Sequence, residues 1–278
     1  MTAILALAFT ACSAQKDNST STQSETQAQV ESKAQDNQSE ITSFEDVATD
    51  KVSLIALGNS DVPVGQYSEE IFKNLGVWDD IQSKISFGSN VKQVLSQVSE
   101  KSVDCGVVYR TDAVTEDGVE VVCTPPQGAL ETPVIYPAAV LKNSKNAEAA
   151  KSFLNYLLSD AAKAEFEKVG FKMATDNKPG ETKTDAKCTI NVFAAASLTE
   201  SLTQIQKLYN VENPDVEIVF NFDSSGTLKT QIESGADVDV FISAATKQMN
   251  GLKDGGYIDE STELQLLENE VVLIVPKK

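Results

Sequence analysis

The sequence predicts an α/β protein built from mixed sheets that helices cover on both faces. Apolar runs of strand length alternate with amphipathic helical patterns along most of the chain after residue 50. Such runs, apolar throughout, indicate strands that are buried on both faces. The chain has 278 residues, 41% of them hydrophobic, which is enough for two modest domains or one large one with a real core.

The first series of elements begins with a buried-strand run at 52–57. An amphipathic helix at 67–76 follows and ends at Gly76, because glycine readily adopts the conformation that closes a helix. The prolines of the strand at 132–141 predict that it crosses between domains or lies at a sheet edge. The remaining elements are helices at 90–102, 147–159 and 160–170 and strands at 103–109 and 119–123.

A second series follows a polar stretch, ATDNKPGETKTDAKC at 174–188, which predicts a linker. Strands at 190–195, 216–222 and 238–243 alternate there with helices at 198–210, 226–234 and 246–254. A final apolar run precedes the lysines at the end of the chain.

The first forty residues predict a leader and a tether. AILALAFTA, residues 3–11, has the length of a secretory apolar core, although no Lys or Arg precedes it. Cys12 follows small residues and resembles the lipidated cysteine of a bacterial lipoprotein signal spanning 1–12. Residues 13–40 are almost all polar and predict a disordered tether. We therefore expect an extracytoplasmic protein that is attached to the membrane by a lipid anchor.

Composition excludes several function classes. The net charge of −18 disfavours nucleic-acid and anionic membrane-surface partners. The chain has no histidine, which excludes Ser–His–Asp and Cys–His catalysis and histidine-bound metals. The four cysteines form no CxxC pair, so a zinc site is not expected. Cys105 and Cys123 are expected to be buried thiols, with a disulfide as the alternative.

Four predicted strand-to-helix turns are rich in small and hydroxylated residues. In SLTE, Ser197 and Glu200 have the spacing of a capping box. In DSSGTL, Ser224 and Ser225 precede a helix, and Gly226 predicts a close approach of another backbone segment. Helix capping alone is the alternative reading of these serines. The other two turns are LGNSDVPVGQYSEE and SFGSNVKQV.

These turns have a common physical explanation. Helix N-termini carry unpaired N–H groups and a partial positive charge, so several of them around one point form an anion site without basic side chains. In α/β sheets such turns gather at the carboxyl ends of the strands, where ligands bind. A carboxylate at the second turn, Asp223, would repel an anion unless it points away or is paired.

Four stretches carry a family resemblance: VFAAASLTESLTQI, FDSSGTLKTQIESGADVDVFISAA, LGNSDVPVGQY and VDCGVVYRTDA. They resemble the periplasmic molybdate-binding proteins of ABC importers, over almost all of residues 41–278. The resemblance implies a two-lobed type II periplasmic-binding-protein fold that holds molybdate or tungstate between its lobes. It also implies a monomer without a cofactor or catalytic residues, whose partner is an importer permease.

The resemblance assigns the ligand-binding residues by motif. Ser197 of AAAS and Ser225 of DSSGT would donate hydroxyl and amide hydrogens to the oxyanion. Val64 of VPVG and Val91 of SNVKQ would donate backbone N–H groups, and Tyr109 of GVVY would donate its phenol. The metal enters this set only as the central atom of the molybdate oxyanion.

The order of the chain is rotated relative to that family, so we expect a circular permutation. The expected parts are lobe two at 44–128, the second half of lobe one at 131–173, the linker at 174–188, and the first half of lobe one at 189–278 with a hinge strand at 271–275. The rotation leaves 131–140 as the one continuous covalent hinge, which predicts a looser closed state.

The favoured function is capture of molybdate or tungstate outside the cell for an ABC importer. A receptor for sulfate, phosphate or a small carboxylate is one alternative. A hydrolase that uses Ser197 or Ser225 is another, although no lysine follows either serine at the SxxK spacing. A purely structural surface lipoprotein is the third.

Overall fold

The computed structural model describes residues 41–278, so the expected leader, tether and lipidation site at Cys12 lie outside the described residues. The strands in this range are β1 (Ile55–Gly58), β2 (Ile85–Gly88), β3 (Cys105–Tyr109), β4 (Val119–Cys123), β5 (Ile135–Val140), β6 (Lys172–Met173), β7 (Cys188–Ala195), β8 (Val216–Asp223), β9 (Val240–Ile242), β10 (Leu264–Glu268) and β11 (Val271–Pro276). The α-helices are α1 (Pro63–Asn74), α2 (Trp78–Ile81), α3 (Val91–Ser99), α4 (Arg110–Val114), α5 (Ala147–Tyr156), α6 (Asp160–Lys168), α7 (Thr199–Glu212), α8 (Ser225–Glu233) and α9 (Thr246–Asp254).

Lobe two is built on a five-stranded sheet with the order β2-β1-β3-β11-β4. Strands β1, β2 and β3 are parallel, and β11 is antiparallel to both of its neighbours. The register pairs Gly58 with Gly88, so β1 and β2 end side by side. The turns that follow these two strands therefore lie next to each other.

Lobe one is built on a six-stranded sheet with the order β6-β10-β5-β9-β7-β8. Strand β7 is parallel to β8 and β9, whereas β5 is antiparallel to β9 and β10. Ala195 pairs with Asp223, so β7 and β8 also end side by side. Each lobe thus brings the ends of two neighbouring parallel strands to one edge. The two mixed sheets with flanking helices agree with the predicted fold class.

The hinge differs from the expectation. Strand β11, expected at the end of lobe one, lies between β3 and β4 in lobe two, because its six buried residues complete that sheet. The chain therefore crosses between the lobes twice, from β4 to β5 and again at residues 269–270, between β10 and β11. The expectation of one continuous hinge at 131–140 was wrong, and the looser closed state that it implied loses its basis.

Strand β5 lies inside its sheet and not at an edge, although Pro137 cannot donate a ladder hydrogen bond. The sheet accommodates the proline in two ways. Its partner strand shifts register between Gln265 and Leu267, opposite Pro137. Towards β9, the Pro137 carbonyl accepts a hydrogen bond from the Ser243 N–H at 3.0 Å. The prediction of an edge position was wrong because the N and C=O of a strand residue point to the same neighbour, and β9 ends at Ile242, so Pro137 lies where that ladder stops.

The predicted linker lies against lobe one. The buried Asn213 side chain contacts it twice: Nδ2 donates to the Thr182 carbonyl at 3.0 Å, and Oδ1 accepts from the Thr184 N–H at 3.0 Å. The Ser152 hydroxyl also donates to the Thr182 carbonyl, at 2.8 Å. These bonds hold a segment without regular secondary structure on the surface of the lobe.

Within residues 41–278, three cysteines are free thiols: Cys105 is buried, and Cys123 and Cys188 are partly buried. Burial raises the pKa of the Cys105 thiol well above its usual value, so that thiol stays protonated. The described range holds no cluster of side chains suited to a metal ion. None of its helices is both long and apolar enough to span a bilayer.

Candidate functional site

The five residues singled out from the sequence all follow the carboxyl ends of parallel strands. Val64 is the second residue of α1 after β1, Val91 is the first residue of α3 after β2, and Tyr109 ends β3. Ser197 follows β7, and Ser225 is the first residue of α8 after β8. Sheet topology therefore brings these segments to the facing edges of the two lobes.

A small cavity lies between the lobes at this point. Lobe two lines it with Val62, Pro63, Val91 and Tyr109. Lobe one lines it with Ala195, Ala196, Ser197, Asp223, Ser224, Ser225 and Ala244. Four of the five residues therefore meet in one cavity. Val64 is not in the lining, but it directly follows Pro63, which is.

The Tyr109 hydroxyl is a buried polar group without a hydrogen-bond partner among the described residues. The ring is held edge-on between Tyr67 and Tyr136, with centroid distances of 6.4 and 5.7 Å. Burial, reinforced by these tyrosines and Asp112, raises the pKa of Tyr109 well above its usual value. The hydroxyl is therefore protonated, and it is available to donate its hydrogen to a ligand in the cavity.

Ser225 presents a hydroxyl hydrogen to the cavity, because its oxygen is already engaged. Its Oγ accepts a hydrogen bond from the Ala244 N–H at 2.9 Å, and the residue is fully buried. The neighbouring Ser224 is the helix cap, since its Oγ accepts from the Thr227 N–H at 3.1 Å. Both serines line the cavity, but Ser224 also caps α8, whereas the hydroxyl of Ser225 takes no part in capping.

Ser197 does not form the predicted capping box. It lies in a 3-10 turn, Ala196–Leu198, that separates β7 from α7, and its side chain makes no capping hydrogen bond. Its Oγ lies 2.9 Å from the Tyr136 hydroxyl. Glu200, the expected second member of the box, is bound by Lys92 of the other lobe, which draws the carboxylate away from the helix start.

Two helix starts of lobe two lie beside the cavity and carry backbone N–H groups that a helix cannot bond internally. Proline lacks an N–H, so the Val64 N–H is the first that α1 offers after Pro63. At the start of α3, the Asn90 side chain caps the Gln93 N–H at 3.0 Å, which leaves the Val91 N–H to other partners. Both ends carry the positive pole of a helix.

Asp223 lines the cavity, but its carboxylate has partners of its own. Its Oδ1 accepts from the Ser224 N–H at 2.7 Å and from Asn90 Nδ2 of the other lobe at 3.3 Å. The neutral Asn90 amide, and no cation, bridges it across the cleft. Among the described residues that line the cavity, none is a lysine or an arginine.

The lobes touch directly beside the cavity at Gly226. Its N–H donates to the Asp61 carbonyl of the other lobe at 3.1 Å. A Cβ atom at Gly226 would lie 2.3 Å from that carbonyl oxygen, so no larger residue fits here. The close approach predicted from the sequence at this glycine is confirmed.

Charged side chains form a second link between the lobes behind the cavity. Lys92 Nζ lies 2.9 Å from both oxygens of Glu200 and 3.1 Å from Asp112 Oδ1. Burial raises the pKa of Asp112 to about 6, although Lys92 opposes the shift. Burial lowers the pKa of Lys92, but Asp112 and Glu200 outweigh it, so the pKa is raised and the ammonium is retained.

Two residues beside the cavity, the buried Tyr136 and the half-buried Asn269, were missed by the sequence analysis. The Tyr136 hydroxyl contacts Ser197, and Asn269 Nδ2 donates to that same hydroxyl at 3.1 Å. The sequence pattern identifies Tyr136 only as part of the strand at 132–141. Asn269 lies between two strands with no motif around it, so no local signal marked either residue.

Known proteins resemble this chain in sequence and in fold. An ABC transporter substrate-binding lipoprotein assigned as YvgL, of Bacillus subtilis, is 41% identical over 134 residues, which cover 48% of this chain and 50% of YvgL. The molybdate-binding protein ModA of Haemophilus influenzae is 45% identical over 93 residues, which cover 34% of this chain and 37% of ModA. The chain therefore spans half or less of the length of these relatives.

A solved structure resembles it over a larger share. The phosphate-binding protein of a phosphate ABC transporter from Streptococcus pneumoniae matches with a TM-score of 0.51 at 14% identity, over 81% of this chain and 89% of that chain. Such a likeness shows the fold alone. The sequence pattern of the bacterial extracellular solute-binding proteins matches residues 24–172 and 190–278. With an interlobe cavity ringed by strand ends and a family pattern over most of its length, the chain belongs to the bacterial extracellular solute-binding proteins.

Proposed function

We propose that this protein binds molybdate or tungstate outside the cytoplasm and delivers it to the permease of an ABC importer. The observation that carries the proposal is the Tyr109 hydroxyl, which is buried at the cavity and has no partner among the described residues. The hydroxyls of Ser197 and Ser225 line the same cavity, and their oxygens already have protein partners. The sequence likeness to ModA supports the choice of oxyanion.

Binding would proceed by closure of the lobes on the anion. Water around the oxyanion is exchanged for hydroxyl and backbone hydrogens that the fold already holds in place. Because the donors are neutral, the dianion's charge is met by oriented dipoles and helix ends, not by ion pairs. Opening of the lobes at the two crossing segments would release it.

Selectivity follows from the chemistry of the lining. Hydrogen phosphate carries a proton that needs an acceptor, and the carboxylate in the lining, Asp223, is already bonded at Oδ1 to Ser224 and Asn90. Molybdate and tungstate at neutral pH need only donors. Sulfate is also a bare dianion, so the protein would distinguish it by cavity size. These arguments favour molybdate over the phosphate, sulfate and small-carboxylate alternatives.

The hydrolase alternative needs a base beside a serine. The oxygen of Ser197 meets a tyrosine hydroxyl whose pKa burial raises well above its usual value, and the oxygen of Ser225 meets a backbone N–H. Neither group is a base at neutral pH. This chemistry supports solute binding over acyl transfer at both serines.

The rotated chain order and its domain limits remain our proposal. The family pattern matches in two segments whose gap, residues 173–189, contains the expected linker at 174–188. Relatives with at least 41% identity each cover half or less of the chain. Both facts are expected when only one half of a permuted chain can align in a single pass.

Membrane attachment through Cys12, with the protein acting as a monomer, is likewise a proposal. It is supported by the sequence pattern that ends at that cysteine and by the name of YvgL, which is a lipoprotein. Metabolic labelling with a palmitate analogue, compared between the wild type and Cys12→Ala, would test the anchor. Equal labelling of the two would contradict it.

Titration calorimetry with molybdate, tungstate, sulfate, phosphate and a small carboxylate tests the function. We expect tight binding of the first two anions and weak or no binding of the others. Tyr109→Phe should weaken molybdate binding by about 10–100-fold, the loss expected for one hydrogen bond to a charged group. Because that hydroxyl has no protein partner, the unliganded variant should unfold at the same temperature or higher.

Tyr156→Phe is the matched control, since Tyr156 is a buried tyrosine of lobe one that does not line the cavity. It should leave the affinity unchanged. A wild type that binds phosphate or sulfate more tightly than molybdate would refute the proposed ligand. Absence of binding to every anion would refute the oxyanion function itself.

A further inference from the structure

We propose that Tyr136 and Asn269 are positioning residues that fix the direction of the Ser197 hydroxyl, so that Ser197 can only donate into the cavity. The pair would thereby make the site selective for fully deprotonated anions. This inference rests on the proposed oxyanion function and adds to it two residues that need not touch the anion.

The orientation of the Asn269 amide is set by the backbone. Its Oδ1 accepts from the N–H of Glu270 at 2.8 Å, and a backbone N–H can only donate. The amide nitrogen therefore faces the opposite way, where it meets two hydroxyl oxygens. Nδ2 lies 2.9 Å from Thr111 Oγ1 and 3.1 Å from the Tyr136 hydroxyl.

The Tyr136 hydroxyl then has one direction left for its own hydrogen. It accepts a hydrogen bond from Asn269. Its other hydrogen-bond partner among the described residues is Ser197 Oγ, at 2.9 Å. Tyr136 is fully buried, and burial raises its pKa well above the usual value. It is therefore a neutral phenol with one hydrogen to donate, and we assign that hydrogen to Ser197 because the hydroxyl of the adjacent Tyr109 forms no hydrogen bond among the described residues.

Ser197 in turn must place its hydrogen elsewhere. Its Oγ receives the Tyr136 hydrogen, and the residue lines the cavity while being only 4% exposed. No other acceptor for this hydroxyl appears among residues 41–278. A ligand that offered Ser197 a hydrogen would leave the serine hydrogen buried and unpaired, which is costly.

The chain of donors therefore runs in one direction, from Asn269 to Tyr136 to Ser197 to the cavity. Molybdate oxygens accept at its end without conflict. A hydrogen phosphate that turned its O–H towards Ser197 would meet a second donor. The selectivity is thus set two side chains away from the ligand, by an amide whose own orientation is fixed by the main chain.

Two substitutions test the chain in different ways. Tyr136→Phe removes the donor, so the Ser197 hydroxyl becomes free to donate or to accept. We expect molybdate binding to weaken by about tenfold, with phosphate binding weakened less or improved. Asn269→Asp replaces the donating amide with an acceptor, which turns Tyr136 towards residue 269 and reverses the chain. We expect the ratio of molybdate to phosphate affinity to fall further in this variant.

The readout is that affinity ratio, measured by calorimetry on the full chain at mildly alkaline pH, where hydrogen phosphate and molybdate are both dianions. Added negative charge at residue 269 would weaken both anions, so a change in the ratio separates orientation from charge. Tyr209→Phe is the matched control, because it removes another buried Tyr–Ser hydrogen bond of lobe one, the 3.1 Å contact with Ser152. That variant should keep the wild-type ratio.

The outcomes separate the two proposals. A wild type that binds molybdate, with an unchanged ratio in a folded Tyr136→Phe or Asn269→Asp, overturns the positioning role and leaves the proposed function standing. A wild type that binds none of the anions overturns the proposed function and this inference with it. If Tyr136→Phe fails to fold, the ratio in Asn269→Asp decides.

Discussion

The two lobes meet the cavity with different kinds of hydrogen-bond donor. Lobe two offers the helix starts at Val64 and Val91 and the Tyr109 hydroxyl, which forms no hydrogen bond among the described residues. Lobe one offers the hydroxyls of Ser197 and Ser225, both of which are already bonded to neighbouring groups. Lobe two thus presents donors whose direction is set by the backbone or by ring packing, and lobe one presents rotatable hydroxyls that need partners to orient them.

This difference determines which substitutions would remove the hydrogen-bond donors of each lobe. A backbone donor survives most side-chain substitutions and is lost only when the N–H itself is removed or the helix start moves. A hydroxyl is lost by a single substitution, and it is also misdirected when its partner changes. The lobes should therefore respond to different mutations, and the link between them to a third kind.

The largest expected effect concerns the charge buried in lobe two, at Asp112. Its pKa in the folded protein is raised from 3.8 to about 6. Well below pH 3.8 the group is protonated in both states and costs nothing. As the pH rises towards 6 the unfolded chain ionises first, so the wild type loses about 3 kcal/mol of unfolding free energy over this window. Asp112→Asn should lack this loss.

Denaturant titrations of both proteins from about pH 4 to about pH 7 measure the effect. The variant keeps the groups that face Asp112, which are Lys92, Glu200, Tyr109 and Tyr136. The readout is therefore the change with pH of the difference in unfolding free energy between the two proteins, and not a constant offset. Asp46→Asn is the control. Burial raises the pKa of Asp46, but the hydrogen bonds with Lys51 and Thr42 outweigh burial and lower the pKa to about 2. Its difference should be constant above about pH 5, and a constant difference for Asp112→Asn would contradict the buried charge.

The second prediction breaks the contact between the lobes. Gly226→Ala places a methyl group 2.3 Å from the Asp61 carbonyl, so the lobes cannot close fully. Overpacking of this kind costs about 1–3 kcal/mol, which corresponds to a loss of molybdate affinity of about 10–100-fold. The unliganded protein should be as stable as the wild type or more so, because alanine favours the helix.

Gly251→Ala is its control, since a Cβ there would meet the flexible end of the Lys229 side chain within the same lobe. This variant gains the same helix propensity without affecting closure. If both glycine variants bound molybdate as the wild type does, closure on Gly226 would not be part of binding.

The third prediction sharpens the comparison at a backbone donor. Val91 is the first residue of α3, a position where proline is well tolerated, and Asn90 before it is extended, as a residue before proline prefers. Val91→Pro therefore removes one N–H with little strain. We expect molybdate affinity to fall by about tenfold, the value of one hydrogen bond to an anion.

Val91→Ala removes side-chain packing but keeps the N–H, so its affinity should stay close to that of the wild type. Calorimetry on the two variants separates the amide from the side chain. Equal losses in both would show that packing, and not the N–H, is what residue 91 contributes.

The smallest effect is expected at the partly exposed ion pair across the cleft. Glu200→Gln removes the ion pair with Lys92. The Lys92 side chain is 28% exposed, and the Glu200 side chain is 43% exposed. Such pairs contribute about 0.2–1 kcal/mol, so molybdate affinity should fall by less than about fivefold, and by less still at high salt. Glu233→Gln breaks a pair of similar exposure, with Lys229 inside lobe one, and should not change affinity. A large loss in Glu200→Gln that salt does not reduce would mean that the pair is effectively buried.

Sequence reasoning reached the fold and part of the site. Alternating apolar runs and helical periodicity were enough for the two mixed sheets, and hydroxyls at strand-to-helix junctions drew attention to Ser197 and Ser225. Val64 and Val91 carry no side-chain signal, because their contribution is a backbone N–H, so only the family resemblance named them. Gly226 could be identified from the sequence because glycine is favoured where another backbone segment approaches closely.

The failures had tertiary causes. The capping box at Ser197 was a local pattern, but Lys92 of the distant helix α3 binds Glu200 instead. The hinge strand was assigned by its order in the chain, whereas its pairing placed it in the sheet of the other lobe. Tyr136 and Asn269 lie far apart in sequence and meet only in the fold.

The short crossing at residues 269–270 joins mechanics to chemistry. Asn269 stands in this bridge, and its amide contacts Thr111 of lobe two and Tyr136 of lobe one. A swing that parts the lobes must pull one of these hydroxyls from the amide. The bend that opens the cavity would therefore also break the hydrogen bonds that orient the Ser197 hydroxyl towards the anion. Release of the anion would then need no further conformational change.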